Sequence, residues 1–243
     1  MSHESRADAD SVVRATGSRR DFFRLAGLGG AALAAPALLA ACADERVSPL
    51  APITPGLQNH GGVPAIVLDF RSDIGVLNFA YALEQLEAAF YIMVIAAIRG
   101  RGRPEQFFLE GIRNHEVVHR EFLKAALGSA AIPAVTPNFS SVNFNDINSI
   151  LATARALEDT GVGAYNGAAK YLSNPDYLTA AGKIVSVEAR HAATIRDIIA
   201  PKTRFFAGDD VVDANGLDIV LEPPQVLAAA GPFIVNSITI IGL

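Results

Sequence analysis

Four carboxylates recur along the chain in an order that narrows what it can fold into. Glu84 is followed seven residues later by Tyr91, and Glu116 opens the run Glu-Val-Val-His to His119. Glu158 is again followed seven residues later by Tyr165, and Glu188 opens Glu-Ala-Arg-His to His191. Each carboxylate lies on an otherwise apolar face of a segment with helical spacing. The offset from Glu84 to Glu158 nearly matches that from Glu116 to Glu188, so the chain reads as two copies of one hairpin about a pseudo-twofold axis. Residues three apart share a helix face, so Glu116 and His119 can reach one point, as can Glu188 and His191. Four carboxylates gathered in an apolar interior repel one another and are poorly solvated. Two divalent cations would cancel their charge, with each His supplying a neutral nitrogen to one ion. One Glu-x-x-His is common among solvated helix charges or buried ion pairs; two of them alternating with two Glu-x6-Tyr units are specific.

The helices that carry these residues can be bounded. The first starts at Asp73 as N-cap and runs to Ile98, ending at Arg99 to Arg103. Pro104 opens the second as its first residue, and Gly128 ends it after Leu127. The third begins at Asn145 or Asp146 and reaches about Leu172. Asn174 caps the fourth, Pro175 lies in its first turn, and Pro201 closes it. Short connections join helices one and two, and three and four, so each pair is an antiparallel hairpin. Ser129 to Phe144 contains Pro133 and Pro137 and has no helical pattern. A helix of about 25 residues is roughly 37 Å long, and some sixteen extended residues cover about 50 Å, enough to travel the whole bundle. Short, long, short is the connectivity of a ferritin-like four-helix bundle, and the expected fold class is all-α with an irregular C-terminal tail.

Composition bounds the partners. Apolar residues make up 51% of the 243, charged residues 19%, and the net charge is −5. Beyond the N-terminal segment the only basic cluster is Arg99, Arg101 and Arg103, so no nucleic-acid partner is expected. Ser18-Arg19-Arg20-Asp21-Phe22-Phe23 precedes an apolar run from Leu25 to Ala41, which is the layout of an export signal. It resembles the twin-arginine signal that carries folded proteins, and implies a periplasmic or cell-envelope location. Leu39-Ala40-Ala41-Cys42 resembles a lipobox, with a small-residue cleavage site as the alternative; acylation of Cys42, the single cysteine, would tether the protein to a membrane without spanning it. The expected domains are a signal over 1–42, a linker over 43–68, the bundle over 69–200 and a C-terminal extension over 201–243 that packs on the bundle. The run Val226 to Leu243 is apolar but interrupted, and packs on the bundle or on a second subunit of a homo-oligomer. Gly208-Asp209-Asp210 and Asp213 do not fit an EF-hand spacing and read as an acidic turn.

Together these residues resemble the ferritin-like superfamily. Leu77-Asn78-Phe79-Ala80-Tyr81-Ala82-Leu83-Glu84-Gln85-Leu86-Glu87-Ala88-Ala89-Phe90-Tyr91 and Leu221-Glu222-Pro223-Pro224-Gln225-Val226-Leu227 are closer to its exported, desiccation-related members. The resemblance spans roughly Asp69 to Phe233. It implies a site for two divalent metal ions, Fe or Mn, held by Glu84, Glu116, His119, Glu158, Glu188 and His191. Tyr91 and Tyr165 either hydrogen-bond the ligand carboxylates, relay electrons or are core aromatics. Glu87 reads equally as an extra carboxylate near the site or as a solvated one, and His115 and Glu121 as surface residues. The expected activity is that of an oxidoreductase acting on a small oxidant, O2 or peroxide, of ferroxidase, peroxidase or manganese catalase type. The rival is a non-catalytic metal-binding or stress-protective envelope protein, with an iron-storage cage less in keeping with a lipid anchor and a tail.

Overall fold

The computed structural model describes residues 62–243. The expected signal over 1–42, with Cys42, and most of the expected linker lie outside the described residues. Elements follow in the order β1 (Ile66–Asp69), α1 (Asp73–Ile98), α2 (Gln106–Leu127), α3 (Ile147–Ala168), α4 (Pro175–Ile199), α5 (Pro223–Ala230) and β2 (Ile238–Ile241). The four long helices form an all-α bundle. Helix α1 has the length and hydropathy of a membrane span, but 78% of its most apolar window is buried, so it is the central helix of the core.

Helix ends follow their local chemistry, with two corrections to the sequence reading. Ser72, not Asp73, caps α1: its hydroxyl accepts from the backbone N–H of Gly75. Asp73 is freed for a longer reach, its carboxylate accepting from the N–H groups of Ser173 at 2.7 Å and Asn174 at 3.0 Å, so the start of α1 is tied to the start of α4. Helix α2 begins at Gln106 rather than at Pro104, because Pro104 and Glu105 are taken up in a turn closed by the Gln106 N–H on the Arg103 carbonyl. Asp146 and Asn174 cap α3 and α4 with their side chains.

The connection between α2 and α3 runs the length of α1. The Asn78 amide donates to the Ala130 carbonyl and accepts from the Ile132 N–H; Gln85 Oε1 accepts from the Val135 N–H; Phe139 packs on Phe90 with ring centroids 5.5 Å apart. As the loop advances from residue 130 to 139, its neighbours on α1 advance from 78 to 90. The crossover therefore rises beside α1 and delivers α3 to the end from which α2 left. Polar side chains on the core helix thereby satisfy loop backbone that would otherwise be buried unpaired.

Two short strands escaped the sequence reading. Ile66–Asp69 pairs in parallel with Ile238–Ile241, in the register Ile66 to Ile238, so the last residues of the expected linker are ordered against the chain's far end. The strand is four residues long and its partner lies 172 positions away, which leaves no local pattern to read. The C-terminal tail is irregular for much of its length and carries α5 and β2. It is held to α3 by the Leu221 N–H on the Gly163 carbonyl, by Asn166 Nδ2 on the Ile219 carbonyl, and by Lys170 to Glu222. Arg196, 2% exposed, pairs with Asp159 and Asp210 at 2.8 Å and so links α4, α3 and the tail.

Gly167 is where the tail comes closest: a Cβ there would overlap the Leu221 carbonyl. Gly167→Ala is expected to lower stability by about 1–3 kcal/mol, read as a drop of several degrees in thermal midpoint with far-UV helix content retained. An unchanged midpoint would show that the tail is not seated on α3.

Candidate metal centre

Helices α1 and α3 run antiparallel, and this sets the register of the centre. Tyr165 Oη donates to Glu84 Oε1 and Tyr91 Oη donates to Glu158 Oε1, each at 2.5 Å. Moving seven residues forward on α1 moves seven back on α3, so the two Glu-x6-Tyr units grip one another reciprocally. Each tyrosine thus holds one oxygen of the opposite carboxylate and leaves the other, Oε2, facing inward. Both phenols are buried, which pushes their pKa values well up and keeps the hydroxyl protons available for these bonds.

The Glu-x-x-His units of α2 and α4 close the centre from the other side. Glu84, Glu116, Glu158 and Glu188 are all fully buried, and His191 is 4% exposed. Two overlapping groups result. Glu84, Glu116, His119 and Glu188 bring one ligand atom each to within 4.8 Å of the others, and so do Glu116, Glu158, Glu188 and His191. Glu116 and Glu188 belong to both. His119 Nδ1 lies 2.8 Å from Glu188 Oε1 and 3.5 Å from Glu84 Oε2; His191 Nδ1 lies 2.8 Å from Glu116 Oε1 and 3.5 Å from Glu158 Oε2. Each histidine therefore approaches the shared carboxylate of the other Glu-x-x-His helix and the unshared carboxylate of its own group. All six side chains named from the sequence converge here, with both tyrosines.

These atoms are close, yet the short contacts are misdirected for hydrogen bonds. Glu84 Oε2, both oxygens of Glu116 and of Glu188, Glu158 Oε2 and Nδ1 of His119 and His191 are buried with no hydrogen-bond partner. Leaving one buried polar group unpaired costs about 1–3 kcal/mol, and native interiors contain few of them. A concentration of such atoms in one place, all of them acceptors or metal donors, is the chemistry of a cation site. The buried Glu/His cluster could hold a metal, and its oxygen and imidazole donors suit hard or borderline divalent ions.

Without a cation, protons must balance the charge. Burial, and then neighbouring carboxylates, push the Glu84 and Glu116 carboxyls above the usual range. Burial raises Glu158 to about 7, against the pull of His191. Burial opposes the charge on Glu188 as well, but His119 and His191 outweigh it and bring that carboxyl down to about 2. Burial disfavours charged His119 and His191 too; Glu188 with Glu84, and Glu158 with Glu188, outweigh it and raise them to about 9 and about 10.

Residues left open by sequence now have places. Glu121 is exposed and pairs with Arg120. Glu87 is not solvated: it is 3% exposed, one turn from Glu84, with its carboxylate against Gly161, where a Cβ would stand 3.1 Å from Oε1. Its offset from Glu84 is the one that pairs Glu116 with His119, so the helical repeat signals its position. His115 is exposed, as expected, yet its ring also touches the centre: Nδ1 lies 2.8 Å from His191 Nε2. Its i, i+4 spacing to His119 signals a place beside the ligand face, but not its partner, which lies 76 residues away and is met through the packing of α2 on α4.

Residues 72–201, just over half of the chain, match the ferritin-like domain family. The chain belongs to that family. The matched span covers the four long helices and every residue of the centre. Comparison with curated proteins found no match.

The proton inventory gives a pH dependence with a defined sign. The histidine pKa values are raised on folding, so their contribution to metal-free stability is complete below about 6.5 and is lost as pH rises through about 9 and about 10. Metal-free protein is expected to melt progressively lower across that window. Divalent cation uptake should release protons, measurable with an indicator dye, and should tighten as pH rises. Uptake without proton release would contradict this charge balance.

Proposed function

We propose that the centre binds two divalent ions, Fe or Mn, and that the protein is an oxidoreductase acting on O2 or peroxide. The observation that supports this reading above all is the pair of overlapping ligand groups sharing Glu116 and Glu188, whose inward atoms are buried and unpaired. In ferritin-like carboxylate proteins a Glu from each of two helices and a Glu-x-x-His from each of the other two build a dinuclear site, which is the donor set assembled here. On this reading Glu84, His119 and the shared Glu116 and Glu188 would hold one ion, and Glu158, His191 and the same shared pair would hold the other. Bound Fe or Mn would supply the change of oxidation state that side chains of this kind cannot. The protein's part is to hold the carboxylates in register through Tyr91 and Tyr165 and to exclude bulk water. The low exposure of every ligand suits a reactant no larger than O2 or peroxide.

The location rests on the sequence. The Ser18-Arg19-Arg20 segment supports export in a folded state, with metal loaded beforehand, and Cys42 supports a lipid tether at the envelope.

Elemental mass spectrometry on purified protein tests the centre. About two Fe or Mn per chain are expected in the wild type and none in Glu116→Ala/Glu188→Ala; a folded wild type that takes up neither metal would overturn the reading. Oxygen release from peroxide, or peroxide-driven change in the metal spectrum, would support turnover, and an inert loaded centre would favour the protective role. Tyr91→Phe/Tyr165→Phe should keep the fold and weaken metal affinity about 10–100-fold, measured by chelator competition.

A further inference from the structure

The two halves of the centre are related by a pseudo-twofold axis, and the departures from that symmetry are informative. The offset that carries Glu116 to Glu188 and His119 to His191 carries His115 to Val187. His115 Nδ1 lies 2.8 Å from His191 Nε2, the ring planes are within 10° of parallel and the centroids are 5.1 Å apart. With the nitrogens that close and the centroids that far, both nitrogens must lie on the line between the rings. The rings therefore meet edge to edge, in the geometry of an N–H···N hydrogen bond. Val187 has no group that could do the same for His119.

His191 presents Nδ1 to Glu116 and Glu158, so Nδ1 is the nitrogen that must be free of its proton to ligate. Its remaining proton then belongs on Nε2, where His115 Nδ1 stands as acceptor. A hydrogen bond to the outer nitrogen of a ligating imidazole fixes its tautomer and ring orientation and raises its basicity. The tyrosines do not distinguish the halves, since each holds one terminal carboxylate at the same distance. Glu87 does not distinguish them either. The register that pairs 84 with 165 and 91 with 158 places 87 level with 162, beside the axis.

We propose that His115 is a positioning residue for His191, and that it makes the Glu158–His191 position hold its ion more tightly than the Glu84–His119 position. The inference rests on the dinuclear reading above for its second half, and on the His115–His191 contact alone for its first.

Two measurements test it. Metal-free protein titrated with Co(II), followed by calorimetry and visible absorption, should bind in two unequal steps. In His115→Val, which installs the residue of the other half, the tighter step should weaken about 10–100-fold with the weaker step unmoved. His115→Asn, whose amide oxygen can accept in place of Nδ1, should recover most of the loss. An isotherm for His115→Val that superposes on the wild type, or one in which both steps weaken alike, would overturn the proposal. Nitrogen-15 NMR of the metal-free protein should show a proton on His191 Nε2 bonded to an unprotonated His115 Nδ1, and loss of that bonded signal in His115→Val. A proton found on His115 Nδ1 would overturn the assignment. Were the wild type to take up no Co(II), the dinuclear reading would fail, while the NMR result would still decide the role of His115.

Discussion

The repulsion among four carboxylates buried within reach of one another is the constraint around which the bundle is organised. An apolar interior resists every one of those charges, and the protein meets the cost with a layered arrangement. Tyr91 and Tyr165 satisfy one oxygen of Glu158 and Glu84, His119 and His191 stand against Glu188 and Glu116, and the inward atoms that remain await positive charge. Helix length, antiparallel pairing and the long crossover follow from bringing residues 84, 116, 158 and 188 to one level.

Placing such a cluster in a core requires that the scaffold not relax around it. The polar residues on α1 serve this end. Asn78 and Gln85 anchor the crossover, and Asp73 binds the backbone at the start of α4, so the helix that carries Glu84 is fixed along its length. Arg196 does the equivalent on α4, one and a half turns beyond His191, by joining Asp159 of α3 and Asp210 of the tail. Glycines on α3 cost helix propensity but permit the approach of Leu221 and of the Glu87 carboxylate.

Much of this could be read from the chain because it is encoded locally. The four helices follow from apolar periodicity and from caps such as Asp146 and Asn174, and the crossover from the lengths of the connections. Glu116, His119, Glu188 and His191 show as an i, i+3 offset repeated in two hairpins, and Glu84 and Glu158 as two Glu-x6-Tyr units. What escaped depends on contacts between distant residues. The β1–β2 pairing brings Ile66 to Ile238, and neither strand is long enough to show alternation. The choice between Ser72 and Asp73 as cap turned on what else Asp73 could bind, a partner 100 residues away. His115 is a surface residue on the same side of α2 as His119; only the packed position of His191 reveals its contact.

The crossover has a consequence beyond connectivity. A centre of this symmetry could be assembled from two identical hairpins, but then every substitution on one side would be repeated on the other. Tying the hairpins into one chain through residues 128 to 146 releases them from that copying. His115 answers to Val187, so the halves have already diverged around a shared ligand set. In this architecture the loop is what allows individuality: it lets two ligand groups built from the same letters acquire different duties.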